Sequence, residues 1–169
     1  MKFFETSKYY TLKKSTYINL RWIGIIGQII SIYLVYYYLN FKFEFIYSNI
    51  IIFFGILSNF YLILIYKKTQ LSERSALLFL MIDIFQLSAL IYLTGGVVNP
   101  FIIFLLIPSV FASTNLGFKT NSLIVVITTI IIITLTFYSK ELPFPLNEHF
   151  HVNDYYFYSI PIALIIALI

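Results

Sequence analysis

The chain has 169 residues, 60% of them hydrophobic and 11% charged, with no cysteine. Soluble domains carry roughly 25% charged residues, so a soluble globular fold is excluded, and the lack of cysteine removes disulfides, thiolate metal sites and thiol redox switches within these residues. The net charge of +4 reads as a topological signal rather than a nucleic-acid footprint, because of where the basic residues fall.

Residues 1–19 contain four lysines and no long apolar core. They are expected to form a cytoplasmic interfacial segment, with no cleavable signal peptide. Beyond them the chain reads as an all-α, polytopic integral membrane protein. A spanning helix needs about 20 mostly apolar residues, and six segments qualify or nearly so: 20–39, 47–66, 75–94, 100–116, 121–138 and 155–169. Lys2, Lys8, Lys13, Lys14, Arg21, Lys67, Lys68, Arg74 and Lys119 fall on one side of this layout, and only Lys42 and Lys140 on the other. Basic residues in short loops stay cytoplasmic, so the N-terminus is predicted inside. Tyr36, Tyr37 and Tyr38 suit an aromatic belt at the outer headgroup layer.

In the first span, Arg21, Gly24, Gln28 and Ser31 follow one another at steps of three or four and share a helix face. Close helix packing accounts for such a face, and Gln28 is placed to pair with Asp83 or Gln86. Trp22 reads as an inner interfacial anchor. In the third span, Asp83 is the one acidic residue well inside a predicted helix. A charge at that depth costs about 2.5 to 3.5 kcal/mol on insertion scales. Gln86 shares its face, and Leu90 and Thr94 continue the stripe outward. Two readings stand: a structural hydrogen bond to a neighbouring helix, or a proton acceptor coupled to a ligand site.

Between the third and fourth spans lies Gly95-Gly96-Val97-Val98-Asn99-Pro100-Phe101. Glycine ends a helix without a Cβ penalty. Asn is a strong N-cap, and Pro suits the first helical position. Helix geometry alone therefore accounts for a hairpin. The same residues also suit a site: unpaired N–H groups at the helix start, glycines permitting close approach, and the Phe101 ring for stacking. A membrane-soluble ring carrying carbonyl oxygens, such as a quinone, meets that description.

Pro108 and Pro161 lie within spans and are expected to kink them. His149 and His151, beside Glu148 in the outer link 139–154, fall short of a metal site. No nucleotide loop, nucleophile triad or paired-carboxylate centre is visible, so no catalytic residue is assigned. The sixth span has 15 residues, roughly 22 Å at about 1.5 Å per residue, short of a hydrocarbon core of about 30 Å. It reads as a truncated helix whose continuation would emerge in the cytoplasm.

These residues resemble the membrane sensor region of RegB/PrrB/ActS-type redox-responsive sensor histidine kinases of proteobacteria. Leu20-Arg21-Trp22 with Gly27-Gln28 resembles the family's first span, and Asp83, Gln86 and Leu93-Thr94 its third. The 95–101 segment resembles its GGxxNPF heptapeptide. The resemblance implies a six-helix domain of the bacterial inner membrane that binds ubiquinone or a related quinone. Gly95, Gly96, Asn99, Pro100 and Phe101 would form the site, supported by Asp83, Gln86 and Gln28. It further implies a homodimer that signals quinone redox state to a cytoplasmic histidine kinase core and a response regulator. That core, its ATP site and its phosphoacceptor histidine are not among these residues. The rival reading is a small transporter or channel using Asp83 as an intramembrane polar site.

Overall fold

The computed structural model describes residues 12–140 and 154–168. The helices are α1 (Lys14–Tyr33), α2 (Phe45–Leu64), α3 (Glu73–Leu93), α4 (Leu106–Asn115), α5 (Phe118–Phe137) and α6 (Asp154–Leu168). α1 runs on through a π-helical turn, Leu34–Tyr38, to make a continuous 25-residue apolar helix. Two 3-10 turns, Gly96–Val98 and Pro100–Leu105, separate α3 from α4.

Among the described residues, four helices are long and apolar enough to cross a bilayer, and the segments Pro100–Asn115 and Tyr156–Leu168 are shorter apolar helices. The surface agrees with a lipid environment. Ile23, Phe54, Leu64, Val110, Ile130 and Phe137 all stand exposed, at a density that water would not tolerate. The core is built from Tyr17, Leu62, Leu80, Ile84, Ile91, Leu105, Ile124 and Ile132, which come from α1, α2, α3, the Pro100–Leu105 turn and α5.

Helix α1 begins at Lys14, six residues before the expected start at Leu20. The boundary differs because the inner end is tied down. Leu12 and Lys13 pair antiparallel with Leu71 and Gln70, a two-residue ladder (β1, Leu12–Lys13; β2, Gln70–Leu71) in an otherwise helical fold. The Lys14 ammonium donates to the carbonyls of Ile63 (3.1 Å) and Tyr66 (2.5 Å). It thus satisfies the open C-terminus of α2, where a cation is favoured. The neighbouring α4–α5 link joins the same end, since Glu73 accepts from Gly117 N and Thr120 Oγ1. At the other end Lys140 pairs with Glu44 at 2.7 Å. The described basic residues therefore divide between the two ends as the sequence expects.

The fourth crossing also differs from a plain helix over 100–116. Its first six residues are 3-10. At about 2.0 Å per 3-10 residue and about 1.5 Å per α residue, the sixteen residues Pro100–Asn115 reach roughly 27 Å, close to a bilayer core. Pro108 sits in the first turn of α4, just after the change from 3-10 to α geometry at Leu105–Leu106. Pro161 lies inside α6. His149, His151 and most of the 139–154 link lie outside the described residues.

Candidate functional site

A groove of about 490 Å³ runs along the bundle between α1, α3 and the Pro100–Asn115 segment. Its walls are apolar and aromatic, and its polar groups fall at three levels.

The inner level holds Tyr17, Arg21 and Asp83. Arg21 Nε and Nη2 each lie 2.8 Å from Asp83 Oδ1, and Nη2 also donates to Ser58 Oγ at 3.0 Å. The Tyr17 hydroxyl donates to Asp83 Oδ2 at 2.5 Å. Arg21 is sandwiched, with Cζ 5.6 Å from the Tyr17 ring and 5.8 Å from the Phe79 ring. The Arg21 side chain is 4% exposed, but that of Asp83 is 22% exposed. The carboxylate thus has charged and hydroxyl partners on one side and the groove on the other.

The middle level is a pair of amides. Gln86 Nε2 donates to Gln28 Oε1 at 2.9 Å. Gln86 rests over Gly55 of α2, where any Cβ would collide with the amide. Glycine at 55 therefore lets a polar side chain sit between three helices. Gly24 and Gly27 are also on the groove wall, and a Cβ added to either would have no neighbour within 4 Å. They hold space open rather than packing another helix.

The outer level holds Thr94, Asn99, Phe101 and Phe104. Asn99 caps the second 3-10 turn through Phe101 N→Oδ1 at 2.9 Å, and its Nδ2 donates to Thr94 O (3.1 Å) and Thr94 Oγ1 (2.6 Å). Gly95 and Gly96 take φ of 113° and 57°, the left-handed region that glycine enters freely. Both are buried, and a Cβ on Gly96 would strike the Ser139 side chain and Leu135 O. Gly96 is packed against the end of α5, and neither glycine is on the groove wall. Pro100 is exposed and also off it. Several N–H groups expected to face a ligand are bonded within the turn instead: Val98 N to Gly95 O, Asn99 N to Gly96 O, Ile102 N to Asn99 O. A 3-10 turn closes these i→i+3 bonds itself.

The family description "PilS-like transmembrane domain" matches residues 14–168. The chain belongs to this family. A PilS-like domain is a six-helix membrane unit, which assigns the two shorter apolar segments as the fourth and sixth members of the bundle. The sensor histidine kinase RegB of Cereibacter sphaeroides is 30% identical over 107 residues, covering 63% of this chain and 23% of that protein. No solved structure matches the chain. This PilS-like domain is thus a multi-pass domain of the bacterial inner membrane, similar to the membrane sensor region of a RegB-type kinase of two-component signalling.

Of the expected site residues, Asn99 and Phe101 stand at the outer end of the groove, with Gln28 and Gln86 midway and Asp83 at the inner end. Gln28 pairs with Gln86 and not with Asp83. Tyr17 and Ser58 are partners of Asp83 and Arg21 that the sequence does not announce. Tyr17 falls in the stretch expected at the interface, although its spacing of four from Arg21 puts both on one face.

Proposed function

We propose that this domain is the quinone-sensing input of a two-component sensor histidine kinase, working as a homodimer and passing its signal through a kinase core to a response regulator. One observation carries the reading. A single lipid-depth groove joins aromatic rings at Phe101 and Phe104 to amide and carboxylate groups at Gln28, Gln86 and Asp83. Ligand sites are mostly apolar clefts with a few convergent polar groups. Apolar walls suit an isoprenoid-bearing ring, and the interior polar groups suit its oxygens. The resemblance of the 95–101 heptapeptide to that of the RegB type supports the same ligand class.

The route outward from the groove is mechanical. Asn99 and Phe101 face it, while Val97, two residues earlier, is buried in the core. The Gly96–Val98 turn packs on α5 and α6. A ligand shifts a two-state equilibrium only by its difference in affinity for the states. Occupancy at Phe101 therefore reaches α6 through the heptapeptide, if the bundle has two arrangements of that turn.

The test is equilibrium binding of ubiquinone-1 to the chain in lipid nanodiscs, read by quenching of Trp22, the single tryptophan. Saturable quenching that decyl-ubiquinone displaces is expected. Association no greater than with empty nanodiscs overturns the reading.

A further inference from the structure

Resting on the quinone reading, we infer that the ring is held at the inner and middle levels of the groove, by Asp83 and the Gln28–Gln86 pair, and that the heptapeptide lines the exit for the tail. The outer level has little to offer a headgroup. Both ends of the Asn99 amide are engaged by Thr94 and Phe101 N, and Thr94 Oγ1 itself donates to Leu90 O at 2.7 Å. Gly96 backs onto Ser139 and Leu135. What faces the groove there is aromatic: the rings of Phe101 and Phe104, 5.7 Å apart, a surface that suits an isoprenoid chain.

The inner levels have the opposite character. The Gln86–Gln28 bond uses one donor and one acceptor, leaving the Gln28 NH₂ and the Gln86 carbonyl of the same pair without a partner among the described residues. A quinone carbonyl accepts from the first, and a quinol hydroxyl donates to the second. Asp83, 22% exposed and on the groove wall, offers its carboxyl oxygens as acceptors for a hydroxyl. The Arg21 guanidinium balances the carboxylate's charge, and its Nη1 is buried with no hydrogen-bond partner among the described residues. Both redox forms thus find a partner, but different ones. Room for the ring lies alongside, where Gly24 and Gly27 leave open space.

The two locations are well separated. Thr94 lies eight residues beyond Gln86 on α3, about 12 Å at roughly 1.5 Å per residue, more than the width of one ring.

The experiment is cross-linking of a ring-substituted azidoquinone to the full chain in nanodiscs, with decyl-ubiquinone as competitor and adducts mapped by mass spectrometry. Adducts lost with competitor and lying within residues 20–32, 80–91 or 107–111 support the inner location. Displaceable adducts confined to residues 94–104 overturn it and leave the quinone reading intact. Displaceable adducts nowhere, together with no saturable Trp22 quenching, overturn both. Gly24→Leu gives a second measure, because its side chain enters open space. At least tenfold weaker ubiquinone-1 binding with unchanged thermal unfolding is expected, larger than the effect of Phe101→Ala. The reverse order overturns the inner location.

Discussion

Arg21 and Asp83, 62 positions apart in the chain, meet in an ion pair, its arginine buried and its carboxylate on the groove wall, whose two N···O contacts are both 2.8 Å. The pair fastens α1 to α3, and Ser58 brings in α2. An ionisable residue this deep normally pairs or neutralises. Here the partner comes from the first helix, one turn beyond Tyr17, whose hydroxyl takes the second carboxylate oxygen.

Removing one member of such a pair strands the other. Asp83→Ala should cost about 3 to 5 kcal/mol, the usual penalty for an uncompensated buried charge. The double replacement Arg21→Met with Asp83→Leu should recover most of that loss. Unfolding in mixed detergent micelles measures both, and an additive double mutant would show that the two residues do not act as a pair.

Tyr17→Phe isolates the hydroxyl from the ring. Tyr17 is 1% exposed and stacks on Phe111 at 5.9 Å, so the ring's packing survives. The loss should be about 1.5 to 3 kcal/mol, the range for a hydrogen bond to a charged group. A change under about 0.5 kcal/mol, the scale of neutral surface substitutions, would mean that Asp83 does not depend on it.

The heptapeptide glycines should respond unequally to the glycines of α1. Gly96→Ala puts a Cβ at φ of 57°, against Ser139 and the Leu135 carbonyl 2.8 Å away. It should destabilise by at least about 1 kcal/mol, as expected for Ala where φ is positive. Gly24→Ala meets open space in a helix interior. It should be neutral or stabilising by up to about 1 kcal/mol. Thermal unfolding of the two variants, side by side, gives the comparison.

Much of this is legible in the amino-acid order alone. The six apolar segments, the αL glycines and the Asn99 cap all follow from period, composition and capping chemistry, whereas for Gln28 the sequence leaves Asp83 and Gln86 equally open. Three features are not legible. The start of α1 depends on a tertiary ladder between Leu12 and Leu71, which no local pattern encodes. The 3-10 course of Pro100–Leu105 reads like any apolar helix, because side-chain spacing alone does not separate 3.0 from 3.6 residues per turn. The use of the heptapeptide's own N–H groups within the turn is a matter of backbone geometry, whereas the rule that helix starts leave donors open makes them look available.

The orientation can be tested directly, because the chain lacks cysteine and each single-cysteine variant reports one position. Lys68 lies in the link at the end that carries Lys14, Arg74 and the β1–β2 ladder, while Lys42 lies at the Glu44–Lys140 end. Basic residues in short loops stay cytoplasmic. In intact spheroplasts, a membrane-impermeant maleimide should label Lys42→Cys at once and Lys68→Cys only after lysis. Both links are exposed, so a missing signal before lysis reports the membrane rather than burial. The reversed pattern would turn the bundle over. The Arg21–Asp83 cluster would then sit near the outer leaflet and the heptapeptide near the cytoplasm.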